Sequence, residues 1–263
     1  MATLHPFRGF RPPTEFASRV ASRPYDVLTT EEARAESAGN PLSFLRIGKA
    51  EIELPISIDQ HDPQVYEKAA ENLQRFVKEG ILRQDREPCL YLYGLASGGH
   101  EQYGLVACVS VHEYNADVIR RHELTRPDKE DDRTHHIDVT GAHTGPVLMA
   151  YRSTDDIDAI IAQVRRALPV VDFTATDGVR HQLWVIDDRR TVNTLTQLFL
   201  HVERLYIADG HHRSAAAARA ADLRTSRNPS HTGKEEYNYF LGVLFPYRRL
   251  RILAYNRTVG TQR

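Results

Sequence analysis

Five consecutive residues, Asp209, Gly210, His211, His212 and Arg213, bring an acid, a glycine, two imidazoles and a guanidinium to one point of the chain, within YIADGHHRSAAAARAA. An apolar run ends just before them and an alanine run follows. The pattern predicts a strand, a turn and a helix, with the polar group at the helix start. A helix N-terminus presents unpaired backbone N–H groups and partial positive charge, and phosphates bind there readily. Gly210 permits positive φ and lets a ligand approach the backbone closely. Arg213 falls in the first turn, where a guanidinium can fork onto phosphate oxygens, and His211 or His212 can donate a further hydrogen bond. Ala215 to Ala218 keep the helix flank thin enough to lie close to a sheet. Asp209 can cap the helix or hold a metal ion through water. The bland reading is a capped turn with surface histidines, but a cap alone does not require Gly-His-His-Arg behind it.

Composition bounds what such a site can serve. The chain has 263 residues, 41% hydrophobic and 26% charged, which suits one large soluble domain or two small ones. Its formal net charge of -1 gives no general pull toward nucleic acid or an anionic membrane, so anion binding must be local. Cys89 and Cys108 match no zinc spacing and no disulfide framework, and a reducing cytoplasm fits them best. The opening MATLHPFRGFRPP is not a signal peptide, and no window approaches the roughly 18 apolar residues of a membrane span.

The elements that must position the site follow from periodicity. Thr30 before Glu31 and Glu32 reads as a helix start, LSFLRI (42–47) as a short strand, and DPQVYEKAAENLQRFVKEGIL as a helix capped by Asp62 and stopped at Gly80. CLYLYGLA and YGLVACVSVHEY flank SGGHEQ as a β-hairpin. GPVLMAYR, VRHQLWVID and RLYIAD read as strands. STDDIDAIIAQVRRALP reads as a helix with Ile157, Ile160, Ile161, Val164 and Leu168 on one face, and RRTVNTLTQLFLH as another. YNYFLGVLFP and LRILAYNR close the chain as strands. The architecture expected is α/β or α+β, a mixed sheet with flanking helices, as one unit over 1–263 with a division near residue 150. The chain stops soon after an apolar strand, as if shorter than its relatives. Trp184 is expected in the core. His135, His136 and His143 are expected to face solvent or lie in loops.

ADGHHR between a strand and an alanine-rich helix resembles the phosphate-binding turn of the ParB/sulfiredoxin superfamily. HPFRGFRP, RPYDVLTTEEA, NPLSFLRI, RHELTRPDKEDDR, DGVRHQLWVI and LYIADGHHRSAAA occur in the order that resembles domain-of-unknown-function family 1015, over nearly the whole chain. That resemblance implies a kinase that uses ATP or ADP with Mg²⁺ to phosphorylate the hydroxyl of free serine or a similar amino acid. Members of the family look longer than this chain.

Phosphoryl transfer needs cations on the phosphates, a metal ion, and a carboxylate to orient or deprotonate the attacking hydroxyl. RHELTRPDKEDDR holds all these residue types. Glu123 or Asp131 would be base or metal partner, with Lys129 and Arg133 on the phosphates, and Asp209 the metal residue in the corner. The competing reading of this charge run is a solvated loop. Tyr25 and Asp26 in RPYDVL could face the substrate, or Asp26 caps while Tyr25 packs. Arg8 could reach a phosphate or pair with a carboxylate. Two other functions fit the same residues: a non-catalytic ParB-like nucleotide-binding regulator, and a metal-dependent hydrolase using Asp209, His211 and His212. Neutral charge and the lack of a helix-turn-helix argue against DNA. The partners expected are a nucleotide and a small amino acid, with a homodimer left open.

Overall fold

Alternating and continuous apolar runs assemble into a mixed sheet, seen in a computed structural model that describes residues 1–251. The N-terminal segment carries β1 (Phe10–Arg11), α1 (Thr14–Val20), a 3₁₀ turn (Tyr25–Val27), α2 (Thr30–Ser37), α3 (Leu45–Gly48), a 3₁₀ turn (Ala50–Glu53), α4 (Pro63–Lys78) and β2 (Arg83–Gln84). Then come β3 (Leu90–Ser97), β4 (His100–Ser110), α5 (Val111–Asn115), β5 (Ile119–Arg120), α6 (Pro127–Thr140), β6 (Val147–Tyr151) and α7 (Asp155–Val164). β7 (Val171–Thr174), β8 (Arg180–Ile186), α8 (Arg189–Phe199), β9 (Leu205–Asp209), α9 (His211–Arg227) and β10 (Tyr239–Pro246) follow.

Among the described residues the main sheet has eight strands in the order β5-β9-β6-β10-β4-β3-β8-β7, and β1 pairs with β2 apart from it. β10 lies parallel to β6 and antiparallel to β4, so strands from both sides of residue 150 share one sheet. The principal core joins these strands to Ile157 and Ile161 of α7, Leu195 and Phe199 of α8, and Ala217 and Ala221 of α9. Smaller clusters, such as Val20, Ile47, Phe76 and Leu82, hold the N-terminal helices together. α4 packs on α6, and α6 on α9, which ties that helical segment to the sheet.

The mixed α/β architecture is as expected, and several local readings are corrected. Residues 42–47 form no strand. Asn40 Oδ1 accepts from Leu42 N–H at 3.1 Å, and this turn leads into α3. Helix α2 starts at Thr30 as expected, with Thr29 as its cap closing a capping box with Glu32. Leu168 lies beyond the end of α7 and is exposed, because the helix stops at Val164. From Pro127 the charge run is a helix rather than a loop, ending at Gly141 in the left-handed region, φ 67°, while residues 121–126 before it are loop. Strand β7 was not anticipated. It pairs with β8 across a turn where Gly178 has φ 81°. Trp184 is in the core, and LRILAYNR falls almost wholly outside the described residues.

Candidate functional site

Strand β9 delivers Asp209 to the sheet margin, and the chain turns through Gly210 directly into α9. Gly210 has φ 97°, and a Cβ there would stand 3.2 Å from Arg213 Cζ and 3.3 Å from Val147 Cα. Glycine is therefore demanded twice, by backbone conformation and by space. Arg213 folds back across Gly210 and lies against Gly145 as well.

Asp209 does not cap α9, which begins without a side-chain cap. Its carboxylate turns instead to the Arg213 guanidinium. The first backbone N–H of the helix to find a carbonyl is that of Ser214, on Gly210 O at 2.9 Å. The N–H groups of His211, His212 and Arg213 precede that bond and have no intrahelical acceptor. Arg213 also donates to Pro146 O and lies 3.5 Å from Asp26 Oδ2, while its buried Nε has no hydrogen-bond partner. The alanines behind it are buried, as the thin-flank reading requires.

The two histidines do something the sequence did not suggest. His122 N–H donates to His211 Nε2 at 3.4 Å, and Arg126 N–H donates to His212 Nε2 at 3.2 Å. Both Nε2 atoms are thus acceptors, and the proton of each ring sits on Nδ1. In His211 that nitrogen faces Glu123 Oε2 at 3.3 Å. The pair pins the loop before α6 onto the first turn of α9 and sets Glu123 beside the corner. Burial, and then the neighbouring His122 ring, push the His211 pKa down. His211 is therefore a neutral tether rather than a phosphate donor.

The structure divides the other candidates. Asp26 reaches the corner, but Tyr25 lies under the Arg133 guanidinium, 4.3 Å from ring centroid to Cζ. Arg133 in turn donates to Asp132 Oδ2 at 2.7 Å and is largely buried. Burial works against the Asp132 carboxylate, yet Arg133 and hydrogen bonds from Tyr66 and His61 outweigh it and hold its pKa below the usual range. Arg133 and Tyr25 line a narrow cleft beneath Arg213 of about 20 Å³, room for about one water. Asp131 pairs with Arg219, six residues along α9 from Arg213 and so about 9 Å down the helix. Lys129 is exposed and makes no ion pair among the described residues. Arg8 donates its Nε to Asp85 O at 3.0 Å, away from the corner. His136 is buried and hydrogen-bonded to Ile47 O at 3.0 Å, contrary to the solvent-facing expectation, and His143 binds Tyr239 O at 3.1 Å.

Arg126, Asp132 and Pro146 were missed as members of this region. Asp132 had a signal: once the run is a helix, Asp132, Arg133 and His136 fall on one face at i, i+1 and i+4. Among the described residues no group of three or more His, Cys, Asp or Glu is arranged to hold a metal ion. No helix there is long and apolar enough to cross a membrane.

A family model described as protein of unknown function, DUF1015, matches residues 4–262, and the chain belongs to that family. No curated protein and no solved structure gives a significant match.

Proposed function

We propose that this member of the DUF1015 family is a nucleotide-dependent small-molecule kinase, transferring a phosphoryl group from ATP or ADP to the hydroxyl of free L-serine or a similar amino acid. The observation that carries the reading is the uncapped start of α9, with Arg213 folded over it and Glu123 held beside it by His211. Phosphoryl transfer asks mainly for positioned cations and donors on the phosphates and a carboxylate at the acceptor hydroxyl. In this reading the β9–Gly210–α9 corner serves as a ParB/sulfiredoxin-like phosphate turn.

The free N–H groups of residues 211–213 and the Arg213 guanidinium take the phosphates. The cleft beneath is too small for them, so they approach from the outer side of the corner. Arg213 then exchanges Asp209 and Asp26 for phosphate oxygens. Those carboxylates, 63% and 40% exposed, are hard oxygen donors of the kind that hold Mg²⁺. Mg²⁺ commonly takes one or two carboxylates beside phosphates and water, so no all-protein cage is needed. Glu123 orients or deprotonates the acceptor hydroxyl.

Isothermal titration with ATP, ADP and serine, followed by a phosphoserine assay, tests this. Arg213→Ala should abolish nucleotide binding, and Glu123→Ala should remove turnover while sparing it. If both variants phosphorylate serine at the wild-type rate, the assignment is wrong.

A further inference from the structure

We propose that a second cavity, sharing the Ile137 and His143 walls with the cleft beneath Arg213, is a binding site for a small organic monocarboxylate with a flat apolar body. The cavity measures about 430 Å³, inside the roughly 300–1,000 Å³ range of ligand pockets. It opens between the first residues of the chain, the end of α6, the middle of α9 and the start of β10. Phe7, Ile137, Ala220 and Tyr239 give it an apolar wall, which favours a flat hydrocarbon body over a serine side chain or a sugar.

It offers one guanidinium without an ion pair among the described residues. Arg8 and Arg224 both line it. Arg8 makes no ion pair among the described residues and spends only its Nε, on Asp85 O. Arg224 is clamped over the C-terminal end of α6, with one terminal nitrogen 3.2 Å from Asp138 O. Its Nε is buried without a hydrogen-bond partner, 3.7 Å from Asp138 Oδ1. That Nε is closed off from the cavity, so the terminal nitrogens of Arg8, which have no partner among the described residues, are the donors a ligand meets, and a carboxylate is the acceptor that best satisfies a guanidinium. The single carboxylate on the wall, Glu236, is turned to His5 at 3.3 Å and is mostly exposed. His143 adds no charge at neutral pH, since desolvation pulls its pKa down to about 4 and it already donates Nε2–H to Tyr239 O. Arg224 is already paired with Asp138 and Glu236 with His5, which leaves Arg8 as the cation on this wall without an ion pair among the described residues, and one free positive charge suits a monoanion better than a phosphate ester. The inference does not rest on the kinase reading.

The test uses phenylacetate and its neutral counterpart phenylacetamide, titrated into the full chain and followed by amide chemical shifts of Ala142, Ala220 and Tyr239. Saturable shifts with phenylacetate, at least tenfold weaker with phenylacetamide, are expected. Arg8→Ala, at an exposed position, and Arg224→Gln should each weaken phenylacetate about tenfold, and Ala142→Phe should block it. Arg213→Ala should leave its affinity unchanged, which separates this site from the nucleotide corner. Absence of saturation, equal binding of phenylacetamide, undiminished binding by both arginine variants, or loss in Arg213→Ala would each overturn the proposal.

Discussion

Replacing Gly210 by alanine probes the corner without touching its charges. The left-handed backbone at φ 97° costs an L-residue about 1–2 kcal/mol. The new Cβ would meet Arg213 Cζ at 3.2 Å, Arg213 Nε at 3.3 Å and Val147 Cα at 3.3 Å. Arg213 is held by Asp209 and Pro146 O and Val147 Cα is backbone of a central strand, so neither gives freely and we add about 1 kcal/mol for overpacking shared between them. The total is about 2–3 kcal/mol, a fall of about 0.7–1 M in the urea midpoint for a slope of about 3 kcal/mol/M. Gly39→Ala is the control: φ is 71° there and no atom lies within 4 Å of the new Cβ, so only the backbone cost of about 1–2 kcal/mol applies. In an Arg213→Ala background two of the three close contacts vanish, and the cost of Gly210→Ala should fall part of the way toward the Gly39 value. Urea unfolding of the four variants reads this cycle. If Gly210→Ala costs no more than Gly39→Ala, or costs the same with and without Arg213, the packing of Arg213 over this glycine has been misread.

Burial lowers the His136 pKa from 6.5 to about 4, so the unfolded chain binds the extra proton between those values. Stability is whole above about pH 6.5 and is lost as pH falls toward 4, by about 2 kcal/mol at pH 5 from this residue. His136→Gln should flatten the pH dependence of urea stability by that amount, and an unchanged slope contradicts the account. Asp132→Asn strands the buried Arg133 charge and should cost about 3–5 kcal/mol in unfolding free energy; a loss under 1 kcal/mol would show the pair to be dispensable. Asp131→Asn, paired with Arg219 well along α9, should leave serine phosphorylation unaltered where Glu123→Ala abolishes it. His212→Ala removes the acceptor for Arg126 N–H, so hydrogen exchange at that amide should quicken markedly, and unaltered protection would refute the tether.

The sequence made the strand–turn–helix around Gly210 readable because three local signals agree there: an apolar run, a glycine and an alanine-rich stretch. Helix α4 was readable for the same reason, from its period and from Asp62, which accepts from Gln64 N–H at 2.9 Å. The run at 120–136 was opaque because its outward charges mask the helical period; Pro127 and the acids behind it were the only cues. Residues 42–47 look like a strand by composition, yet no neighbouring strand receives them, and β structure needs a partner that composition cannot supply. The roles of His211 and His212 were unreadable for a different reason. The N–H donors they accept from lie 89 and 86 positions away, on a loop whose placement depends on the whole sheet.

The place of β10 has a consequence for how the polypeptide matures. It is the last strand among the described residues, yet it sits between β6 and β4 near the middle of the sheet. Until Tyr239–Pro246 leaves the ribosome, β5-β9-β6 and β4-β3-β8-β7 have no strand to join them, and each offers an unpaired edge. At about 5–20 residues per second the nascent chain carries these two open half-sheets for about 2–7 s after β9 emerges. Completion is therefore a late zippering step, and chaperone protection would matter most during that interval.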